Sequence, residues 1–423
     1  MKRPLLALAI LTAASAAAAA HAAGAPSTKL SSPAPASSSA PSPAPAPAPI
    51  LDAGAPASIN GCVESIPSGG QRPLLVDTFP ERGFSGYAAT LSVAVEHGKG
   101  ETVLPNGLSL QGRLYAAPFY GESSMTLYRQ DLLAKAGLAM PPQPTWADIA
   151  ALAARLDDPR AGVHGVCLRG KPGWGDNMAL VSTMVNAFGG QWFDMAWHPQ
   201  IESRAWQEAV SFYVDLLRKS GPRDAAANSF NENLRLFEEG HCAIWVDATV
   251  AAALVTDAKH SAVADRVGFA QAPTARTSKG ANWLWAWALA IPADSTRKEQ
   301  AQRFVRWATS KAYVELVGRE VGWSQVPTGT RISTYRNAAF IGQARWAMAE
   351  AGAISLANPS DSTLPRSPYV GVQFAAIPEF QAIGQATGES VAAALAGMQS
   401  VDAALHEAQQ AADREMRRGR YYK

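Results

Sequence analysis

The chain has 423 residues, with 37 Lys and Arg against 35 Asp and Glu and a formal net charge of +2. That length admits one or two domains around a large core. The balanced charge, with no basic stripe interleaved with aromatics, excludes nucleic acid and anionic membrane as partners read from electrostatics.

The first 26 residues, MKRPLLALAILTAASAAAAAHAAGAP, read as a secretory signal over residues 1–22. Lys2 and Arg3 give the charged region, Leu5 to Leu11 the apolar one, and Ala20-His21-Ala22 the small-x-small cleavage site, cut after Ala22. The apolar run is too short for a good membrane span, and no cysteine beside the cleavage site offers a lipid anchor. Export of a soluble protein to the periplasm is the expectation. Residues 23–60 are almost entirely Ala, Pro and Ser, a composition that cannot bury enough apolar surface to offset its ordering entropy, and read as a linker. Residues 61–108 hold short apolar runs such as PLLVDTF and ATLSVAV without a clear amphipathic helix between them. With Cys62, Cys167 and Cys242 in an oxidising compartment, the simplest arithmetic is one pair and one leftover thiol.

After Leu110 the pattern sharpens. GRLYAAPFY reads as a strand, and SSMTLYRQDLLAKAGL as a segment passing into a helix that ends at Gly137. PTWADIAALAARL is a helix with Thr145 as N-cap and Asp148 closing a capping box. VHGVCLRG is a strand, and DNMALVSTMVNAFGG a helix running from Asp176 to a glycine stop. SRAWQEAVSFYVDLLRKSG places Trp206, Val210, Tyr213 and Leu217 on one helical face. NENLRLFEEG is a further helix, closed by Gly240 and followed by the strand CAIWVDA. NWLWAWALAIP puts Trp283, Trp285 and Trp287 at every second residue, which in a strand sets three indoles on one face and small residues on the other. RKEQAQRFVRWATS and more helix follow. Strands alternating with helices imply an α/β fold with largely parallel sheets.

Several catalytic signatures close on inspection. Gly165 to Pro172 fits the spacing GxxxxGK, but Pro172 stands where a Ser or Thr hydroxyl must hold magnesium. Gly121 to Met125 echoes a nucleophile elbow without its final glycine. The seven histidines form no HExxH or HxxH pair, so neither a zinc site nor any other metal is expected, and no cysteine has the partner of a catalytic thiol. Enzymatic chemistry and cofactors are not expected. A glycoside hydrolase would need paired carboxylates about 5–10 Å apart, and no feature of the sequence supports one.

At YAAPFYGESSMTLYRQDLL, PTWADIAALAARL, the FxxGxCAIW stretch and PYVGVQF, the chain resembles family 1 of the extracellular solute-binding proteins, the receptors of ABC importers. It is most similar to the subgroup that binds sugar alcohols such as mannitol and sorbitol, over about residues 107–418. The resemblance implies two α/β lobes joined by strands that cross a hinge, closing over a polyol and presenting it to permease subunits in the inner membrane, with the receptor itself monomeric. By this resemblance residues 61–121 and 280–325 form lobe I, and residues 122–279 and 326–423 form lobe II. Cys167 and Cys242, both of lobe II by the match, are expected to bond if their strands are neighbours, leaving Cys62 free.

A polyol carries a hydroxyl on every carbon and a C–H edge that can lie on an aromatic face, so its site mixes flat rings with fixed carboxylates and amides. Carried over position by position, the resemblance puts Trp174 in a lobe-II loop where the maltose receptor has a stacking aromatic. It puts Tyr120 and Glu122 at the first hinge crossing, and Asp247 just past a strand end, where open α/β sheets bind ligands. Trp283 and Trp285 lie where lobe I re-enters, and Tyr369 begins a late segment near the cleft. Trp287 is read as core.

The sequence departs from the family before about residue 106. The strand–helix–strand start of lobe I is replaced by the Ala/Pro/Ser segment, and residues 61–105 occupy the place of an αβ stretch without its pattern. A deletion or disturbed reading frame there is one explanation, with lobe I incomplete and residues 23–105 poorly packed and the first to be cut by protease. A degenerate receptor, or an exported non-catalytic interaction module, is the alternative function.

Overall fold

The structure, a computed structural model, describes residues 109–422 apart from 111, 112, 115 and 292–294. The signal sequence, the Ala/Pro/Ser segment, residues 61–105 and Cys62 lie outside the described residues.

The chain enters through β1 (Ser109–Leu110), β2 (Arg113–Leu114), β3 (Ala116–Glu122) and β4 (Ser124–Arg129). Then come α1 (Gln130–Lys135), α2 (Trp146–Leu156), β5 (His164–Cys167), α3 (Asn177–Ala187), α4 (Arg204–Ser220), α5 (Phe230–Glu238) and β6 (Cys242–Ala248). The chain continues through α6 (Ala251–Val255), β7 (Val267–Gln271), β8 (Trp285–Ala290), α7 (Lys298–Ala308) and α8 (Lys311–Glu320). Last are α9 (Ile332–Tyr335), α10 (Ala338–Gln343), α11 (Ala347–Leu356), α12 (Phe380–Leu395) and α13 (Val401–Arg418).

The helix boundaries follow local chemistry. Thr145 and Asp148 make the expected capping box, the Asp148 N–H donating to Thr145 Oγ1 at 3.1 Å and the Thr145 N–H to the Asp148 carboxylate at 2.8 Å. Such a cap is worth about 1 kcal/mol. Gly137, Gly189 and Gly240 end α1, α3 and α5 with φ of +66°, +89° and +87°, a left-handed turn that a side chain would strain. On α4, Trp206, Val210, Tyr213 and Leu217 are all buried, as their spacing requires.

The main sheet runs β5-β6-β4-β7. β5 lies parallel to β6, but β4 is antiparallel to both β6 and β7. The expectation of largely parallel sheets is corrected here. β4 enters straight from β3 through Ser123 with no crossover helix between them, and so it runs against the strands that lead back toward its start. Apolar faces of α2, α3, α4, α12 and α13 cover this sheet in one continuous core. Cys167 and Cys242 form a disulfide between neighbouring strands β5 and β6, with Cα atoms 6.1 Å apart, the pairing anticipated from sequence.

A second, smaller layer is built on β3 paired antiparallel with β8. Its register slips between Pro118 and Tyr120, bulging out Phe119, whose ring reaches Tyr313 of α8 at 6.0 Å. Ala117, Ile291 and Val305 pack together between this pair and α7.

Three segments connect the layers: 121–124 from β3 to β4, 281–285 leading into β8, and 326–330 returning toward α9. They are stitched to one another. The Ser123 hydroxyl lies 2.7 Å from Trp283 O, the Asn282 amide donates to Ser124 O at 3.1 Å, and the Gly121 N–H donates to Thr328 O at 2.9 Å. Trp283 was expected on the strand with the other indoles, but β8 begins only at Trp285. Residues 281–284 are irregular because side chains take their polar backbone groups: the Trp283 N–H donates to Ser124 Oγ, and Gln373 bonds both the N–H and the C=O of Leu284.

Candidate ligand-binding cleft

The register of β3 on β8 sets Tyr120 opposite Trp287 and Glu122 opposite Trp285. Residues two apart on a strand share a face, so a phenol, a carboxyl and two indoles stand together where β3 leaves the smaller layer. Tyr120 stacks on Trp287 with ring centroids 6.0 Å apart. Ala286, between the indoles, is buried against Ala116, Leu284 and Ile354 on the opposite face. Trp287, read from sequence as core, shares this face with Tyr120, Glu122 and Trp285.

From the main sheet, Trp174 meets Trp285 edge to face at 6.0 Å, and Phe374 meets Trp285 likewise at 6.0 Å. Trp174 sits on the loop before α3, whose first residue, buried Asn177, accepts from the Gly173 N–H at 3.1 Å and donates to Gly388 O at 2.9 Å. Gly384 on α12 leaves the room that Trp174 occupies, since a Cβ there would fall 2.8 Å from the Trp174 Cβ.

Asp247 lies near the end of β6, fully buried. Its carboxylate is gripped by Arg169, with contacts of 2.6, 2.9 and 3.1 Å, and also accepts from the Trp245 indole at 3.1 Å. Arg169 is held in turn between the rings of Phe230 and Trp283, at 5.5 and 5.6 Å, and donates to Gly175 O at 3.0 Å. With its oxygens engaged, Asp247 fixes the guanidinium in place.

Arg169 was missed in the sequence. The signal was available: it follows the end of β5 as Asp247 nears the end of β6, so opposite charges stand at the carboxyl ends of neighbouring parallel strands.

Glu122 faces this pair and is nearly buried. Burial pushes its carboxyl up to about 8; the Arg169 charge opposes the rise and that of Asp247 adds to it. The Trp287 indole also lies on the side of the ionised form, yet its buried Nε1 makes no hydrogen bond within the described residues. Burial and the Glu122 charge together hold the Tyr120 phenol well above its ordinary value.

The remaining two candidates sit differently. Trp283 is buried among Ala179, Ala248 and Val372, presenting a face to Arg169. Tyr369 is buried in the main core, its hydroxyl accepting from the Trp192 N–H at 3.0 Å and its ring against Phe193 at 6.0 Å. The structure thus brings together Tyr120, Glu122, Trp174, Asp247 and Trp285, sets Trp283 behind Arg169, and places Tyr369 in packing.

The chain belongs to the bacterial extracellular solute-binding protein family, whose sequence profile matches residues 77–315. The match starts some way before residue 107, where the family motifs become legible. The mannitol-binding protein of Pseudomonas aeruginosa is 52% identical over 318 residues, 75% of this chain and 73% of that protein. Two crystal structures of ABC transporter solute-binding proteins share the fold. One, from Agrobacterium vitis with bound D-mannitol, has a TM-score of 0.73 and 49% identity over 78% of this chain and 80% of its own. The other, from Agrobacterium radiobacter in complex with ribitol, has a TM-score of 0.62 and 25% identity over 72% of each chain. The fold is the two-lobed α/β fold of periplasmic solute-binding proteins, and the protein is a non-catalytic solute receptor of an ABC transporter.

Proposed function

We propose that the protein captures a linear sugar alcohol of the mannitol type between two lobes and delivers it to the permease subunits of an importer. The observation that carries this reading is the meeting of Trp174 and Trp285 beside the Glu122 carboxyl and the Asp247-anchored Arg169. Two rings at a steep angle offer apolar faces to the C–H edges of a carbon chain. The carboxyl and guanidinium offer directed acceptors and donors to its hydroxyls. A site built this way rejects an analogue lacking one hydroxyl, because each buried polar group left unpaired costs about 1–3 kcal/mol. The names and bound ligands of the two Agrobacterium proteins and of the Pseudomonas protein support the same class.

In this reading Glu122, Trp174 and Trp285 touch the ligand, with Tyr120 beside them, while Asp247 and Trp283 act through Arg169. Residues 61–121 and 280–325 form one lobe and residues 122–279 and 326–423 the other. The protein acts as a monomer in the periplasm after cleavage following Ala22. Calorimetric titration with D-mannitol, sorbitol, arabitol and ribitol tests the assignment. Saturable one-to-one heat with mannitol is the expected result, and no heat with any of the four overturns it. Sedimentation of the purified protein and its N-terminal sequence check the monomer and the cleavage point.

A further inference from the structure

Glu350 on α11 is a charged residue in the interior, 1% exposed, and outside the cleft already described. Its two oxygens collect hydroxyls from separate parts of the connection between the layers. Thr328 Oγ1 donates to Oε1 at 2.9 Å and Tyr335 Oη to Oε2 at 2.6 Å. The Thr249 hydroxyl adds a further interaction with the same carboxyl. Each of these groups is tied to a crossing segment. The Tyr335 hydroxyl accepts the Gly329 N–H at 2.9 Å, and Thr328 O accepts the Gly121 N–H at 2.9 Å. Thr249 donates its N–H to Ser123 O at 2.7 Å and accepts the Ser123 N–H at 3.3 Å. One turn further along α11, Ala353 O lies 3.1 Å from the Ser123 hydroxyl, and Ile354 packs with Leu284 of the middle crossing. The helix therefore grips all three connections, with a carboxyl at the centre of the knot.

The contact being held is backbone on backbone. Gly329 has φ of +77°, and a Cβ there would fall 1.9 Å from Gly121 O. No side chain of either glycine can fix this approach, so its spacing depends on what grips the flanking residues.

We propose that Glu350 is a positioning residue for solute binding: by gathering the Thr328, Tyr335 and Thr249 hydroxyls it holds the three crossings in the arrangement that brings the two walls of the cleft together. The proposal rests on the polyol reading for its ligand and on the geometry alone for its hinge. The Thr328 and Tyr335 hydroxyls are tied to the crossing segments through Gly121 and Gly329, so any reorientation of the layers that separates them changes the energy of the knot and biases the populations of the arrangements. An ionised carboxyl is acceptor-only and suits three converging hydroxyls, whereas a protonated one carries a donor of its own and must release or turn one of them. Burial pushes the Glu350 carboxyl up to about 7, while its hydrogen bonds to Tyr335, Thr328 and Thr249 act the other way. Among the described residues, Glu122 of β3 and Tyr335 of α9 are the titratable groups that interact with it from neighbouring elements.

Three variants, Glu350→Gln, Glu350→Ala and Tyr335→Phe, are compared with the wild type by amide hydrogen exchange without ligand and by titration with D-mannitol from pH 6 to 8.5. The expected result is faster exchange of the Gly121 and Gly329 amides in all three. Mannitol affinity should fall about tenfold in Glu350→Gln, with a flatter pH profile than the wild type; that fall equals about 1.4 kcal/mol. Unchanged exchange at both glycines in folded Glu350→Gln and Tyr335→Phe overturns the knot, and unchanged mannitol affinity with an unchanged pH profile overturns its role in binding. Should the wild type give no heat with mannitol, sorbitol, arabitol or ribitol, the polyol reading fails, while exchange at Gly121 and Gly329 still decides whether Glu350 holds the crossings.

Discussion

Glu122 and Trp285 stand opposite each other in the β3–β8 register, so a carboxyl and an indole share one face of a strand pair where it opens toward the main sheet. Their pairing is a property of backbone hydrogen bonding and gives the cleft a fixed wall. What the wall can bind depends on the charge of the carboxyl, and that is set by burial.

The Glu122 carboxyl titrates at about 8 in the folded protein against an ordinary 4.5. Between those values the folded state binds more protons than the unfolded one, so stability is fully present at low pH and is lost as pH rises through 8. The loss is on the order of 1.4 kcal/mol per pH unit over this window. Melting temperature should fall from pH 5 to pH 8.5 in the wild type and fall less in Glu122→Gln, which should be the more stable protein at pH 8.5. Parallel curves for the two proteins would contradict the assignment.

Arg169 and Asp247 form a nearly buried pair with side-chain exposures of 12% and 0%. Asp247→Ala leaves the guanidinium without its partner and should cost about 3–5 kcal/mol in urea denaturation. Replacing both residues by apolar ones of similar volume should cost less than the sum of the single changes, because no uncompensated charge remains. Mannitol affinity should drop in Asp247→Ala although Asp247 itself is fully engaged, since Arg169 loses its orientation. Strictly additive stabilities would mean that the two side chains are not coupled.

Trp174 and Trp206 separate binding from packing. Trp206 is fully buried, with its indole donating to Gln191 O at 2.8 Å, so Trp206→Ala should destabilise by about 3–5 kcal/mol. Trp174, partly exposed beside Trp285, should instead lose mannitol affinity and the saturable change in tryptophan emission when replaced by Ala. An unaltered emission titration in Trp174→Ala would remove that residue from the cleft.

The disulfide between Cys167 and Cys242 closes a loop of 75 residues. A loop of that length restricts the unfolded chain by about 4 kcal/mol, so Cys167→Ser combined with Cys242→Ser should lower the denaturation midpoint by a corresponding amount. The third cysteine, Cys62, should react as the one free thiol when the unreduced protein is denatured and titrated; three reactive thiols would contradict the bond.

The parts of this architecture that were legible in sequence are those decided locally. Thr145 with Asp148, the glycine stops at 137, 189 and 240, and the Trp206 face of α4 each follow from a few adjacent residues. Family motifs carried the two-lobed fold and drew attention to Trp174 and Glu122. The rest depends on contacts between distant segments. Tyr369 has the sequence setting of a cleft aromatic, but Trp192 and Phe193, nearly 180 residues earlier, hold it in the core. Trp283 kept the alternation of a strand, but Ser123 and Ser124 draw its backbone out of the ladder. Arg169 is marked only by its place just past the end of β5, and Glu350 carries no local mark at all; each gains its role from partners across the fold.

Gly384 offers a test of the cleft wall that touches no polar group. It lies on α12 directly behind Trp174, and a methyl group placed there would meet the Trp174 Cβ at 2.8 Å and the Phe380 ring at 3.2 Å. Both contacts are tighter than ordinary van der Waals packing, so one neighbour has to move. Phe380 is anchored in the main core against Trp192 at 5.0 Å, whereas Trp174 sits on a loop and is only partly buried. The contact is with the Trp174 Cβ, so the loop that carries Trp174 is what must shift, and the indole moves with it relative to Trp285. Helix propensity favours Ala over Gly by about 1 kcal/mol, which offsets part of the strain, so the melting temperature of Gly384→Ala should change little. Mannitol affinity should fall severalfold, with a quantum yield in the absence of ligand that differs from the wild type. Wild-type affinity in Gly384→Ala would show that Trp174 has room to spare and that the cleft does not depend on its exact position.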